Sequence, residues 1–145
     1  MPSGAQNFGN HSRWYPLYHF FASPVSWLYA LWAVFTAFRV PGMTEIIHAV
    51  WAVAVATGIL TARVMAVTVQ NRVIRLEMRL RLREVLPAPL AARIRELTTR
   101  QLIALRFASD AELPSLVERT LNGEFDRPRN IKRAVTDWQS DYLRA

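Results

Sequence analysis

The chain contains no cysteine among its 145 residues, and only three histidines and five glycines. Without cysteine it cannot form a disulfide, a thiolate metal site or a thiol nucleophile. The few histidines and glycines make no Ser–His–Asp arrangement, no histidine pair with metal-ligand spacing and no phosphate-binding glycine loop. These absences leave no catalytic constellation, and we expect a protein that is not an enzyme.

Charge is scarce in the first half of the chain. Between positions 14 and 62 only Arg39 and Glu45 are formally charged, and residues 14–38 hold ten of the sixteen aromatic residues. From Arg63 onward the chain carries sixteen cations and ten acids, a net charge of +6. This division predicts a membrane-embedded part followed by a small basic part.

Two apolar stretches have the length of membrane spans. Residues 17–38 contain no formally charged side chain, and 22 helical residues extend about 33 Å, enough to cross roughly 30 Å of hydrocarbon. The second stretch, 44–69, carries Arg63 in its last third, from which a guanidinium can reach the headgroups. A Pro-Gly pair between the stretches predicts a tight turn, and therefore an antiparallel hairpin over residues 14–71.

Pro24 lies inside the first span, where it removes one backbone hydrogen bond. Membrane helices tolerate such a proline when a neighbouring group replaces the lost bond. We expect a kink at this position, with Ser23, Ser26 or a neighbouring helix covering the freed backbone group.

The arginine distribution predicts the orientation of the hairpin. Its turn carries one arginine, whereas five arginines follow the second span between positions 72 and 83. Because positive residues favour the cytoplasmic side of a membrane, we expect both termini in the cytoplasm.

Small and aromatic residues are the candidates for helix packing within the spans. Small residues spaced four apart let two helices approach closely, and the first span is the expected target of the second. Those small residues are Ala52, Ala54, Ala56 and Gly58. Aromatic rings on every face of the first span predict contact with lipid and the second span or, alternatively, with another subunit or a pigment ring. The candidate partner contacts are Trp14, Phe20, Trp27, Trp32 and Phe35.

Residues 72–86 continue the second span without a proline or glycine and predict a basic amphipathic helix beside the membrane. Its apolar line consists of Val69, Val73, Leu76 and Leu80. Cations beside such a line favour an anionic leaflet or an acidic partner, although a solvated charged face is the alternative. The candidate contact residues are Arg63, Arg72, Arg75, Arg79 and Arg83.

Residues 87–145 predict a small domain of three or four short helices. Thr98 with Gln101, and Ser109 with Glu112, have the spacing of capping boxes, although the second helix has Pro114 as an alternative start. Asn130 is expected to cap a last helix. Its apolar face would contain Ile131, Val135, Trp138 and Tyr142. A domain of this size buries little surface alone, so we expect it to lean on the membrane, the preceding helix or a partner.

His19 and His48 are weak candidates for binding a pigment or haem metal, because neutral imidazole suits both. The hairpin places them at opposite ends, where an interfacial polar role is the simpler interpretation. We therefore expect no catalytic residues, no metal site and no intrinsic cofactor, with pigment or lipid contact as the alternative. Residues 1–13 are polar and read as a cytoplasmic N-terminal arm.

Four blocks of sequence support a resemblance that covers nearly the whole chain. They read QNFGNHSRWYPLYHFF, QNRVIRLEMRLRLREVLP, LTTRQLIALRFASDAELPSLVER and IKRAVTDWQSDYLR. The chain resembles a family of short bacterial two-span membrane proteins known chiefly as a domain of unknown function. The resemblance implies a bacterial inner-membrane protein, cytoplasmic or intracytoplasmic, with a cytoplasmic tail. It implies no activity and carries over no binding residues.

We expect an all-α fold: a transmembrane helical hairpin whose second helix extends into the cytoplasm, and a small C-terminal helical domain. The expected function is that of a non-catalytic accessory or scaffolding subunit in a larger membrane complex, with photosynthetic reaction centre–antenna or respiratory assemblies considered first. The alternative is a membrane-anchored adaptor that binds an acidic partner or anionic lipid headgroups. We expect no nucleic acid, because the arginines alternate with acids and match no binding motif.

Overall fold

The computed structural model describes residues 7–9 and 14–140. Within them the secondary structure is helical, and the one extended pairing is an antiparallel bridge between Ala108 and Trp138. The predicted all-α fold is confirmed. The described residues form two compact units, 14–68 and 69–140, and residues 7–9 belong to the second. The remainder of the predicted arm, and Tyr142, lie outside the described residues.

The first unit contains two long helices. A π-helical turn, Leu17–Ala22, leads directly into helix α1, Ser23–Arg39. Helix α2, Met43–Val85, contributes to both units as one uninterrupted helix. Both the 23-residue stretch that ends at Arg39 and α2 are long and apolar enough to cross a membrane. The first stretch agrees closely with the predicted span 17–38, whereas α2 begins one residue before the predicted span 44–69 and continues as a single helix to Val85.

Pro24 directly follows the π-helical turn that ends at Ala22, so its missing backbone N–H falls inside one continuous helical stretch. The Ser23 amide donates to the carbonyl of Tyr18, five residues earlier, which is the π-helical pattern. The Ser26 hydroxyl donates to the Ser23 carbonyl at 3.0 Å instead of replacing a bond lost to the proline.

The helices of the first unit pack through alanines. Ala30 and Ala33 of α1 form one buried cluster with Ala49, Ala52 and Ala56 of α2. Methyl side chains let the two backbones approach closely. The large apolar side chains of both helices are exposed, so small side chains lie inside the hairpin and large ones outside.

The second unit encloses an apolar core between α2 and five short helical segments. These are α3 (Ala88–Ala92), a 3₁₀ turn (Ile94–Glu96), α4 (Thr99–Leu105), α5 (Leu113–Leu121) and α6 (Pro128–Ala134). The core contains Ile74, Met78 and Leu82 of α2, spaced four apart, together with apolar residues of α4, α5 and α6 and the residue that follows α6. Those are Leu102, Leu105, Leu113, Leu116, Val117, Ile131 and Val135, with Leu121 and Trp138 partly buried.

Three local predictions in this unit can be compared with the structure. The Thr98–Gln101 capping box is present, with both reciprocal bonds formed. The second box is absent: α5 begins at Leu113, as Pro114 in its first turn favours, and the Glu112 carboxylate binds elsewhere. The last helix begins after Arg127, not at Asn130, because Pro128 presets the helical φ angle.

The last helix is also shorter than the apolar spacing predicted. It ends at Ala134, and Val135 is already extended. The following backbone is held by side-chain and bridge contacts instead. The backbone N–H of Gln139 donates to the Phe107 carbonyl at 2.7 Å, and the backbone N–H of Ser109 donates to the backbone carbonyl of Asp137 at 3.2 Å.

Candidate interaction surfaces

The second half of α2 presents two apolar faces. One face, with Ile74 and Met78, is buried in the core of the second unit. The other is the exposed stripe predicted from the sequence, which consists of Val69, Val73, Leu76 and Leu80. The 3.6-residue helical repeat places the arginines on one flank of this stripe, and Glu77 and Glu84 on the other.

Three of the predicted arginines lie together beside that stripe. Arg72, Arg75 and Arg79 line one shallow groove. Its apolar wall consists of Val69, Val73 and Leu76. Arg83 is exposed but does not line the groove, and Arg63 belongs to the first unit. Three of the five predicted contact arginines therefore lie along one groove, and the contact itself stays a prediction.

Arg81, on the opposite side of α2, has a structural role that the sequence interpretation missed. Its Nη2 donates to the Ala108 carbonyl at 2.8 Å and its Nη1 to the Arg106 carbonyl at 3.3 Å. Its Nε pairs with Asp110 at 2.7 Å. Arg81 is seven residues after Ile74 and three after Met78, so the periodicity of the buried face was the available signal.

The first unit carries two grooves at opposite ends of the hairpin. The first, which we call the tyrosine groove, is lined by Tyr15, Tyr18, Ala22, Ile59, Ala62 and Arg63. The second, the apolar groove, is lined by Val34, Ala37, Phe38, Ile46, Ala49 and Val50. The tyrosine groove combines the start of the first helical stretch with residues 59–63 of α2, and the apolar groove combines the end of α1 with residues 46–50 of α2. This pairing is that of an antiparallel hairpin.

The predicted small-residue set separates into two faces. Ala52 and Ala56 are 3% and 0% exposed within the alanine cluster. Ala54 and Gly58 are exposed on another face, and a Cβ atom added at Gly58 would meet nothing within 4 Å. Only the first two therefore contribute to packing against α1.

The five aromatic candidates all present exposed rings. They are Trp14, Phe20, Trp27, Trp32 and Phe35. Some of these rings contact one another, as Trp14 stacks on Phe20. Each still exposes at least 39% of its surface, which leaves it accessible to lipid or to another subunit. The exposed apolar surface is not confined to α1, because Trp51 of α2 is also 69% exposed.

The two histidines do not come together. His19 Nδ1 lies 3.0 Å from both the backbone nitrogen and the carbonyl oxygen of Tyr15, and its ring meets Trp14 edge-on. His48 is exposed on α2, near the apolar groove. Among residues 7–9 and 14–140, no three His, Asp or Glu side chains form a group that could hold a metal ion.

A polar network closes the second unit around Glu112. Its carboxylate accepts hydrogen bonds from the Thr136 amide and hydroxyl and from the Asp137 amide. Partial burial alone would raise the pKa of Glu112, but these bonds outweigh it and lower the pKa below its ordinary value. Beside this network the Phe107 ring packs at a tilt of 36° against Trp138, and the Arg106 guanidinium lies 4.1 Å from the centre of the Phe107 ring.

These features define an all-helical protein with two helices of membrane-spanning length and a small, separately packed helical unit. The chain belongs to the family described as "Family of unknown function (DUF6526)", which matches residues 1–145. The resemblance to a family of unknown function is thereby confirmed over the whole chain. No curated protein and no solved structure matches it.

Proposed function

We propose that this chain is a non-catalytic accessory subunit that crosses a membrane twice and joins a larger membrane protein assembly. The observation that supports the proposal most directly is that small side chains lie between the two helices and large apolar side chains lie on the outside. The methyl groups of the hairpin face inward, whereas Trp51 and Phe38, which is 84% exposed, face outward. A core helix of a soluble protein would be mostly buried, but only 11% of each apolar window is.

The aromatic surface of α1 supports an assembly rather than an isolated hairpin. The alanine cluster uses one narrow face of α1, and the remaining faces carry large rings such as Trp27, Trp32 and Phe35. Aromatic side chains of this kind provide large contact areas to a neighbouring subunit. A photosynthetic or respiratory complex of a bacterial inner membrane is the first assembly to examine, because such rings also suit pigment contacts.

The experiment is native gel electrophoresis of the tagged chain, extracted in mild detergent at low and at high salt. A subunit held by apolar helix contacts stays in a large complex at both salt concentrations, because salt screens charges but not packed apolar surfaces. Mass spectrometry of the co-migrating bands then names the assembly. Migration as a monomer at both concentrations contradicts the proposal.

A second candidate function is that of a membrane-anchored adaptor, which the groove beside the exposed stripe of α2 favours. Three arginines beside an apolar wall suit an acidic amphipathic partner or an anionic lipid surface. Such binding weakens steeply as salt rises.

Two triple variants with equal charge change separate the adaptor from the accessory subunit. Replacing Arg72, Arg75 and Arg79 with glutamine releases an adaptor's partner. The matched triple replaces the exposed arginines Arg95, Arg100 and Arg127, which lie outside the groove. Equal loss in both triples points to net charge alone and contradicts a specific role for the groove.

A further inference from the structure

The two grooves of the hairpin differ in one chemical respect. The tyrosine groove has a guanidinium and two phenols among its lining side chains, whereas the apolar groove is lined by hydrocarbon and one phenyl ring. In other respects the grooves are alike, because one alanine from each helix lines each of them. These are Ala22 and Ala62 in the tyrosine groove and Ala37 and Ala49 in the apolar groove. Any difference in what they bind should therefore follow from the polar groups.

Arg63 lies at the depth of a lipid headgroup. It follows Met43, the first residue of α2, by twenty positions, which is about 30 Å of helix. A bilayer core has roughly this thickness, so a helix that enters at Met43 reaches the opposite headgroups near Arg63. Tyr15 and Tyr18 lie at the same end, where amphipathic rings are typical of a membrane interface.

The tyrosine groove has the chemistry to hold a phosphate above an acyl chain. The Arg63 guanidinium lies 5.7 Å from the centre of the Tyr18 ring, which limits its positions and directs a planar donor towards the groove. Arginine binds phosphate oxygens through charge-assisted hydrogen bonds, and a tyrosine hydroxyl can donate another. Below them, Ile59, Ala22 and Ala62 provide an apolar wall.

The charge around Arg63 favours a headgroup without an amine. Residues 46–71 contain no acid, so nothing on that stretch of α2 would pair with a choline or ethanolamine cation. A phosphodiester with an uncharged alcohol adds no positive charge beside Arg63, whereas a choline or ethanolamine headgroup does.

We propose that the tyrosine groove binds one anionic phospholipid, with its phosphate on Arg63 and an acyl chain along Ile59. The inference rests on the proposed membrane location. The apolar groove at the other end has no partner for a phosphate and does not select a headgroup.

Native mass spectrometry of the full chain tests the proposal. The protein is taken from nanodiscs that contain equal amounts of phosphatidylglycerol and phosphatidylcholine with identical acyl chains. We expect one retained lipid per chain and a preference for phosphatidylglycerol of about fivefold, because both lipids offer a phosphate but phosphatidylcholine also places a cation beside Arg63. A wild-type ratio near one overturns the proposal.

Arg63→Gln should abolish the preference. The matched control is Arg39→Gln, because Arg39 also lies at an end of the hairpin, 5.5 Å from the Phe35 ring centre, but lines neither groove. Its preference should stay at the wild-type value. An Arg63 variant that keeps the preference, or an Arg39 variant that loses as much, overturns the proposal.

A groove-filling pair serves if Arg63→Gln fails to fold. Ala62→Trp should expel the lipid, whereas Val50→Trp, in the apolar groove, should retain it; equal retention overturns the proposal. Resistance of the same proteins to alkaline carbonate extraction tests the membrane location separately from the lipid binding. Extraction of the wild type overturns the membrane location and this inference together, whereas a retained protein without lipid preference overturns this inference alone.

Discussion

At the scale of single residues, Arg81 shows how one arginine among several acquires a structural role. The sequence shows five arginines in twelve positions, and their spacing to the exposed stripe groups four of them together. Arg81 is excluded from that group and instead reaches two backbone carbonyls at the end of α4. Those carbonyls become available only when the core has formed, so a sequence pattern could not identify them.

Arg81→Met should lower the free energy of unfolding of the second unit by about 2 kcal/mol, because two backbone carbonyls lose a charged donor. The ion pair with Asp110 adds little to this, since Asp110 is 65% exposed. Thermal unfolding of the full chain in mild detergent measures the loss. Arg83→Met, at an exposed position of the same helix, should change stability by less than about 0.5 kcal/mol. Equal losses would contradict the assigned role.

Glu112 should make the second unit sensitive to acid. Its pKa is lowered in the folded state, so the folded protein binds fewer protons there than the unfolded chain. Its contribution is complete above the ordinary glutamate value of about 4.3 and is lost as pH falls through the folded-state pKa. Glu112→Gln should therefore flatten the decline in unfolding temperature below about pH 5 and reduce stability at neutral pH by about 1 kcal/mol.

The exposed Glu118 provides the control for this pH dependence. Glu118→Gln keeps the hydrogen bonds from Thr136 and Asp137 to Glu112. Its unfolding temperature should therefore fall with decreasing pH as that of the wild type does. If the unfolding temperature of Glu112→Gln falls with pH as steeply as that of the wild type, Glu112 is not the acid-sensitive group.

At the scale of secondary-structure elements, predictions succeeded where local pattern decided and failed where a distant contact competed. The two long helices follow from their apolar length and the Pro-Gly turn. The second capping box fails because the Glu112 carboxylate binds residues twenty-four and twenty-five positions later. The same bonds end α6 early, because Thr136 and Asp137 cannot give their amides to both a helix and a carboxylate.

The alanine interface predicts opposite effects for neighbouring substitutions in α2. Ala56→Leu forces a larger side chain into a fully buried position and should lower stability by about 1–3 kcal/mol. Ala54→Leu, on the exposed face, should be nearly neutral. Gly58→Ala should stabilise the helix by up to about 1 kcal/mol, because the added methyl meets no neighbouring atom. Thermal unfolding in one detergent compares all three, and a destabilising Gly58→Ala would place Gly58 in an interface.

At the scale of the whole molecule, the division of charge along the sequence corresponds to the two units. The nearly uncharged stretch forms the hairpin, and the basic remainder forms the second unit with its own core. Composition alone predicts this division. It cannot predict which face of α2 is buried, because both apolar faces in its second half have helical spacing and only tertiary packing distinguishes them.

The central claim is that the hairpin crosses a membrane, with its turn on one side and the second unit on the other. Because the chain has no cysteine, single-cysteine variants at the exposed positions Val40, Arg83 and Glu118 report one site each. They are expressed in bacterial cells, and the spheroplasts are treated with a membrane-impermeant maleimide. We predict that Val40→Cys reacts in intact spheroplasts, whereas the other two variants react only after permeabilisation. Equal reaction at all three positions in intact spheroplasts, or recovery of the chain in the soluble fraction, would contradict the membrane hairpin.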